Sequence, residues 1–245
     1  MNTPGLADRI LGYLPLLAKG AGVTIGVSAF SILLGFFLGA LLLAASLRYG
    51  RAGVHLTPAQ KVSGWAVSVY VSFFRGTPLL VQLLMLFYLP TAFGINLPPL
   101  PAAIIAMGLN SAAFQCEILR AGLSAVPNGQ LDASLSFGLS RRDTFRYIQL
   151  PQITRAVWPA VISEAIDVLK SSAVISVIAV AELTRAGRQI VASNFRPLEV
   201  YLTMGAFYLA ITGAIFVLGT WMGVWMLSDS KSNRRVRRSL ASRRT

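Results

Sequence analysis

Three ionisable residues follow one another at steps of three inside an apolar segment. Glu164, Asp167 and Lys170 fall within about 120° of one face of a helix, and Ser171 continues the stripe of Glu164 one heptad later. Carboxylates on such a stripe bind an ammonium group, and a lysine binds a carboxylate. Ionised groups cost roughly 2.5–3.5 kcal/mol each at the centre of a membrane span, so the stripe must face protein or water.

A purely structural interpretation of this stripe is also open. Asp167 and Lys170 are three residues apart and can pair with each other or with Arg75. Glu164 has no equally obvious partner on its own helix, so Glu164 and Asp167 rank first as ligand or gate residues. Neutral side chains in other apolar segments can add hydrogen bonds to a solute, although ordinary bonding between helices explains them as well. These are Gln82, Asn110, Ser111 and Gln115.

Residue patterns that carry catalysis or bind metals are missing from the sequence. No G-x-x-x-x-G-K-[ST] phosphate loop occurs, no Cys, His and carboxylate cluster has metal-ligand spacing, and no serine lies in a G-x-S-x-G motif. The only histidine, His55, is expected at the surface, and the only cysteine, Cys116, is expected to be an apolar filler. We therefore predict no catalytic residue, no metal site and no cofactor bound by this chain.

The composition is that of a membrane protein. Of 245 residues, 55% are hydrophobic and 13% are charged, whereas a soluble domain carries about 25% charged residues. Apolar stretches of roughly 20 residues, long enough to span a bilayer, recur along the chain. The net charge of +13 does not indicate nucleic-acid binding, because the basic residues lie at the ends of apolar runs and in the tail. We predict an all-α integral membrane protein with a single domain over residues 1–245.

Five transmembrane helices are expected, and the basic residues between them set their orientation. Fifteen Lys and Arg residues fall on one side and five on the other, which places the N-terminus outside and the C-terminus in the cytoplasm. Residues 123–155 then form a cytoplasmic loop between helices 3 and 4. The basic tail 229–245 is expected to be an anchor near anionic headgroups, with a regulatory or lipid-specific site as the alternative. The spans fall at about 20–47, 64–90, 99–122, 156–181 and 200–227.

The cytoplasmic loop carries the signals of two short helices joined at a glycine. Residues 130–137 can make two turns, and Gly138 follows where a helix often ends in a left-handed residue. Ser140 with Asp143 three residues later resembles a capping box, and a second helix through 145–148 is expected to end at Pro151. Apolar side chains on this corner can lie on the membrane surface or insert into a partner's groove. They are Leu135, Phe137, Leu139 and Phe145.

These loop residues resemble a motif of one transporter family. The segment DASLSFGLS…IQLP within residues 132–151 is similar to the EAA loop of the permease subunits of ABC importers, with Asp132 in place of the usual Glu and Ser134 in place of the second Ala. The resemblance implies a coupling helix that docks on an ATPase subunit; a loop helix packed under its own bundle is the alternative. The coupling residues are then Asp132, Ala133, Ser134, Phe137, Gly138, Leu139 and Ser140.

Three further segments extend the resemblance over most of the chain. RGTPLLVQ at residues 75–82 is similar to the signature of the polar amino acid branch of these permeases, the histidine, glutamine and arginine type. EILRAGLSAVP at 117–127 and LKSS at 169–172 are similar to two other segments of that branch. The family signature residues are Arg75, Gly76, Thr77, Pro78 and Glu117.

The resemblance implies a function and a set of partners. The chain is expected to be the permease subunit of an ATP-driven importer that carries a polar amino acid or similar solute across a bacterial inner membrane by alternating access. ATP and magnesium are then held by separate ABC ATPase subunits, because this chain has no phosphate loop. The other expected partners are a second permease copy or a sister permease, an extracytoplasmic solute-binding protein and the lipid bilayer.

The sequence leaves two other classes of function open. An ion-gradient-driven secondary transporter or channel would use the buried charges as its ion path but leaves the EAA-like loop unexplained. A membrane scaffold would assemble partners and move nothing. Two G-x-x-x-G pairs in the first span, Gly22/Gly26 and Gly35/Gly39, allow close helix approach either within the chain or between chains.

Overall fold

The computed structural model describes the backbone of residues 5–47 and 58–241, and side chains over 5–46, 58 and 61–225. His55, the basic residues Arg48 and Arg51, and the end of the basic tail at 242–245 lie outside the described residues. In chain order the helices are α1 Leu6–Leu47, α2 Pro58–Gly76, α3 Leu79–Tyr88, α4 Pro99–Ser124, α5 Asn128–Ser136, α6 Arg141–Asp143, α7 Leu150–Ser171, α8 Leu183–Asn194 and α9 Pro197–Ala241. Short 3₁₀ turns cover Pro90–Phe93 and Ser172–Ile178, and a π-helical turn covers Thr144–Gln149.

Most of the described residues are helical and none is in a β-strand, which confirms the predicted all-α class. Three helical segments are long and apolar enough to cross a membrane: Leu6–Ser46, Pro99–Ser124 and Pro197–Trp225. A fourth candidate is the bent pair Lys61–Gly76 and Leu79–Phe93. The segment predicted at 156–181 is α-helical to Ser171, 3₁₀-helical over Ser172–Ile178 and non-helical at 179–181. Its three ionisable residues lower its hydropathy.

The segment predicted as one span at 64–90 is two helices, α2 and α3, bent by 108°. Pro78 causes the break, because it has no N–H to donate to the helix and disfavours helical geometry at Thr77 before it. Pro78 is extended, with ψ of 136°, and serves as the N-cap of α3.

The described chain forms two compact units. Unit 1 contains residues 1–117 and 164–212, and unit 2 contains residues 118–163 and 213–245. One core of unit 1 joins α1, α3, α4 and α7 around Leu83, Met107 and Ile175; a second joins α1, α8 and the start of α9 around Leu17 and Leu183. All five of these side chains are less than 3% exposed.

The core of unit 2 lies where the end of α4 meets the first half of α7. Val126, Ile153 and Val157 are buried there, with Leu131 of α5 packed against them. Gly122 of α4 lies against the Val157 side chain, so any larger residue at this position would collide with it.

The two glycine pairs of α1 have different surroundings. A Cβ on Gly35 would lie 2.7 Å from Ser111 Cβ, and one on Gly39 would lie 2.9 Å from the Ala112 carbonyl oxygen. Gly35 and Gly39 therefore serve a close approach of α1 to α4 within the chain. A Cβ on Gly22 or Gly26 would meet no atom of the described chain within 4 Å.

Candidate functional site

The helix–glycine corner predicted in the loop is present. α5 ends at Ser136, and Gly138 has φ of +77°, which confirms the predicted left-handed residue. The Leu139 N–H donates to the Ser134 carbonyl at 3.1 Å and the Gly138 N–H donates to the Leu135 carbonyl at 3.0 Å. This pair of bonds is a Schellman motif, which satisfies the last carbonyls of the helix.

Ser134 explains one departure from the family motif. Its side chain is buried, its hydroxyl lies 3.0 Å from the Thr144 hydroxyl, and it donates to the Leu131 carbonyl at 2.7 Å. A hydroxyl at this position therefore ties α5 to the turn that follows the corner, a contact that the usual alanine cannot make.

The predicted cap after the corner is present in a modified form. The Asp143 N–H donates to Ser140 Oγ at 3.1 Å, and that hydroxyl donates to Asp143 Oδ2 at 2.6 Å. The prediction that Pro151 ends the second short helix was wrong. The turn Thr144–Gln149 runs directly into α7, and the Leu150 N–H donates to the Phe145 carbonyl, so Pro151 lies within a continuous helical run and does not end it.

The outer face of the corner is exposed. Phe137 is 87% exposed, and Leu135, Leu139 and Phe145 are exposed as well. Six of the seven predicted coupling residues are exposed, and only Ser134 is buried. A phenylalanine that protrudes at the end of a short helix suits insertion into a groove of a partner protein.

A cavity of about 190 Å³ lies in unit 1 between α3, α4 and α7. A cavity of this size can hold ordered waters or a small solute. Four predicted solute residues line it together: Asn110, Glu164, Asp167 and Ser171. Lys170, Gln82 and Gln115 do not line it. The other lining residues are Leu79, Met107, Phe114 and Val168.

The two acids of the cavity have different partners. Glu164 is buried, and Ser111 Oγ donates to its Oε1 at 2.8 Å. The Asp167 side chain is 65% exposed, and its Oδ1 lies 2.8 Å from Lys170 Nζ. The intrahelical pair considered for Asp167 is therefore formed, while Glu164 takes a neutral partner on another helix.

Arg75 pairs with neither acid of the stripe. Its Nη1 lies 4.0 Å from Glu117 Oε2, and its guanidinium lies 5.5 Å from the centre of the Phe114 ring. Two residues of the predicted family signature, Arg75 and Glu117, are thus brought together, and Phe114 connects them to a wall of the cavity.

Gln82 holds the bend between α2 and α3. Its Nε2 donates to Thr77 Oγ1 at 2.8 Å and to the Phe74 carbonyl at 3.0 Å, and its Oε1 accepts from Asn110 Nδ2 at 2.9 Å. The spacing of the RGTPLLVQ segment therefore has a structural reason: its proline breaks the helix and its glutamine closes the break. Asn110 contributes both to this network and to the cavity.

The Gln115 side chain is fully buried on α4, and neither its amide nitrogen nor its amide oxygen has a hydrogen-bond partner among the described residues. It lies against Gly39 of α1. Gln115 is therefore placed in the α1–α4 contact, away from the cavity lining.

Glu182 is a buried acid that sequence reasoning missed. Its carboxylate caps α8 by accepting from the Thr184 and Arg185 N–H groups, both at 2.7 Å, and it also accepts from Tyr208 Oη at 3.2 Å. Burial raises the pKa of Glu182, and the hydrogen bonds it accepts oppose that rise. The sequence signal for it is weak, because Ser, Thr, Asp and Asn are the usual N-cap residues and a glutamate marks only the first turn of a helix.

Comparison with known proteins identifies the same family that the sequence motifs resemble. The family model described as "binding-protein-dependent transport system inner membrane component" matches residues 52–227. The glutamine transport system permease protein of Escherichia coli (strain K12) is 35% identical over 201 residues, 81% of this chain and 87% of that protein. The L-cystine transport system permease protein TcyB of Bacillus subtilis (strain 168) is 37% identical over 195 residues, 80% of this chain and 79% of that protein.

Solved structures agree with this match. One chain in the crystal structure of an amino acid ABC transporter with histidines matches this chain with a TM-score of 0.79 and 31% sequence identity. The match covers 91% of this chain and 99% of that chain. An inward-facing methionine ABC transporter, MetNI, has the same fold, with a TM-score of 0.71 and 22% identity, covering 86% of this chain and 96% of that one. The chain therefore belongs to the family of binding-protein-dependent transport system inner membrane components, and it is an ABC transporter permease.

Proposed function

We propose that this permease carries a polar amino acid or a closely related solute into the cytoplasm of a bacterium, driven by ATP hydrolysis on separate subunits. The observation that carries the proposal is the acidic cavity of unit 1, where Glu164 and Asp167 meet Asn110 and Ser171. The named relatives, which transport glutamine and L-cystine, support an amino acid as the solute.

The charges of the cavity favour a solute with an ammonium group. Two carboxylates line it, and none of its described lining residues is basic. An ammonium group bound between Glu164 and Asp167 would gain charge-assisted hydrogen bonds. Lys170, if released from its 2.8 Å contact with Asp167, could then bind the solute carboxylate. If Lys170 instead stays paired with Asp167, it cannot bind a solute carboxylate, and the site should then select cations that lack a carboxylate.

We propose that the exposed corner at residues 128–140 is the docking site of the ATPase subunit. Phe137 protrudes from it, and the left-handed Gly138 sets the direction of the chain that leaves it. The π-helical turn after the corner runs without a break into α7, which carries the acidic stripe. Displacement of the corner would be transmitted along this helix, which links ATP binding to the solute site.

The distribution of charge and hydropathy supports the topology that we propose. The chain spans the inner membrane five times as a single domain, with its N-terminus outside, its C-terminus in the cytoplasm and the coupling helix between spans 3 and 4. It binds no cofactor and catalyses no reaction itself; ATP and magnesium are held by the ATPase subunits. A solute-binding protein delivers the solute outside, and a second permease copy or a sister permease completes the pathway.

Uptake into proteoliposomes tests this proposal. The permease would be reconstituted with its co-purified partners and loaded with ATP or with a non-hydrolysable analogue, and uptake of radiolabelled polar amino acids would be measured. ATP-dependent uptake that is insensitive to ionophores is expected. Uptake that needs no ATP and collapses with an ion gradient would show a secondary transporter instead.

A further inference from the structure

The side-chain amide of Asn110 belongs both to the cavity of unit 1 and to the network that closes the break between α2 and α3. Its Nδ2 carries two hydrogens: one is donated to Gln82 Oε1 at 2.9 Å and the other to the Phe74 carbonyl at 3.2 Å. Among the described residues no donor is bonded to its Oδ1. The polar atom that Asn110 keeps for a molecule in the cavity is therefore a hydrogen-bond acceptor.

The orientation of this amide follows from the proline of the break. In an unbroken helix the Phe74 carbonyl would accept from the N–H of residue 78, but Pro78 has no N–H. The Phe74 carbonyl accepts instead from Gln82 Nε2 at 3.0 Å and from Asn110 Nδ2 at 3.2 Å. Because a carbonyl can only accept, both side-chain amides must turn their nitrogen toward it.

Gln82 fixes the same orientation of Asn110 through its own oxygen. Its Nε2 also donates to the Thr77 carbonyl at 3.0 Å and to Thr77 Oγ1 at 2.8 Å. With its nitrogen held by these acceptors, Gln82 presents Oε1 to Asn110. If the Asn110 amide turned over, its Oδ1 would face Gln82 Oε1 and the Phe74 carbonyl, and neither of these oxygens can donate. The network therefore holds Asn110 in one orientation and leaves Oδ1 available to the cavity.

The two acids of the cavity present acceptors as well. Glu164 and Asp167 line it from α7, and an ionised carboxylate can only accept. The α4 wall lies close to Glu164, because Ser111, the residue after Asn110, donates to Glu164 Oε1 at 2.8 Å. One amide oxygen and two carboxylates therefore line the same space. This set matches the three N–H donors of a primary ammonium group.

We propose that Asn110 is a specificity-determining residue, which accepts one N–H of a solute ammonium through Oδ1, and that Gln82 is the positioning residue that keeps this oxygen available to the cavity. This role depends on the proposed function, because it requires that the cavity binds a solute ammonium. It makes the RGTPLLVQ segment part of solute recognition, although Gln82 itself does not line the cavity.

Amino acids that differ only in the number of ammonium hydrogens test the role of Asn110. The standard L-amino acids and L-cystine would be titrated calorimetrically into the purified permease with its co-purified partners. The amino acid that binds most tightly would then be compared with its derivative that carries one methyl group on the ammonium nitrogen. The parent chain should bind the methylated derivative about tenfold more weakly, the loss expected for one hydrogen bond to a charged group.

Asn110→Leu should abolish this preference, because two N–H groups suffice for two carboxylates and the methyl group then meets the leucine. Gln189→Leu, which removes an exposed amide on α8 outside the cavity, should keep it. A tenfold preference that survives Asn110→Leu would overturn the assignment of Asn110. If the parent chain binds none of the amino acids, the proposed function itself fails, so the two failures are distinguishable.

The positioning role of Gln82 needs a separate test with a pair of backgrounds. Gln82→Leu lets the Asn110 amide turn over, so amino acid affinity should fall several-fold. Asn110→Asp presents an oxygen in either orientation, so Gln82→Leu should change affinity little in that background. All titrations would be made below the unfolding temperature of every variant, because Gln82→Leu also lowers stability. No loss of affinity in either background, or an equal loss in both, would contradict the positioning role.

Discussion

Glu164 and Asp167 lie on successive turns of α7 and line one cavity, yet their surroundings differ. Glu164 is buried with a serine hydroxyl as its partner, while Asp167 is largely exposed and paired with Lys170. An incoming ammonium group would meet an uncompensated carboxylate at Glu164 and would have to displace Lys170 at Asp167. Glu164 should therefore contribute more to solute affinity than Asp167.

Glu164→Gln keeps an oxygen that can accept from Ser111 but removes the charge. A charge-assisted hydrogen bond contributes about 1.5–3 kcal/mol, so solute affinity should fall about 10- to 100-fold, and Asp167→Asn should have a smaller effect. Isothermal titration of the purified permease with the transported amino acid measures this. Glu199→Gln, a change of an acid outside the cavity, is the matched control. Unchanged affinity in Glu164→Gln would make the acid purely structural.

Gly138 allows a test in which only the backbone conformation is changed. A Cβ at this position would meet no atom within 4 Å, so a substitution acts through the positive φ alone. A left-handed residue costs roughly 1–2 kcal/mol for most side chains, and asparagine tolerates it better. Gly138→Val should reduce solute-stimulated ATPase activity several-fold, whereas Gly138→Asn should keep most of it.

Membrane insertion and the amount of purified protein are the controls for both Gly138 variants. If the valine variant stimulates the ATPase as well as the asparagine variant does, the corner geometry has no part in coupling.

At the level of the secondary-structure elements, the break between α2 and α3 is set by Pro78 and closed by the amide of Gln82. Gln82→Leu preserves the size of the side chain but leaves Asn110 and the Phe74 and Thr77 carbonyls with fewer partners. Unsatisfied buried polar groups cost about 1–3 kcal/mol each, so the free energy of unfolding should fall by at least about that amount. Thermal unfolding in detergent measures the change. Val81→Leu, at an exposed neighbouring position, should change the melting temperature little. An equal drop in both variants would show that Gln82 does not hold the bend between α2 and α3.

The contact between α1 and α4 depends on Gly35 and Gly39. Gly39→Ala places a Cβ within 3 Å of the Ala112 carbonyl oxygen, and overpacking of this kind typically costs 1–3 kcal/mol, about the scale we expect here. Gly22→Ala, on the same helix but in open space, is the control and should leave stability unchanged. If both changes lower the unfolding temperature in detergent by the same amount, the α1–α4 contact does not depend on Gly39.

Local chemistry explains which elements could be predicted from the sequence. The left-handed Gly138 and the Ser140 cap follow from residues within a few positions of each other, and both are present. The bend at Pro78 and the role of Pro151 were missed because a proline can break a helix or lie within one, and the choice depends on its neighbours in space. The partner of Glu164 could not be derived either, since Ser111 lies 53 residues away on another helix. That four of the predicted solute residues line one cavity depends on the same long-range packing.

For the molecule as a whole, hydropathy and charge placement carry most of the information. They predicted an all-α membrane protein, because long apolar helices and basic flanks are imposed by the bilayer whatever the solute. The sequence also predicted the corner after α5, which the structure exposes with Phe137 at its tip. We propose that this corner joins the permease to an ATPase.

Co-purification gives the clearest test of that contact. The tagged chain would be isolated from its native membrane in mild detergent beside a variant with residues 132–140 scrambled, and partners would be identified by mass spectrometry. We expect an ABC ATPase with the parent chain and none with the scrambled variant, although both insert and both are recovered folded. Retention of the ATPase by the scrambled variant, or its absence from the folded parent chain under several mild conditions, would contradict the proposed role of the corner.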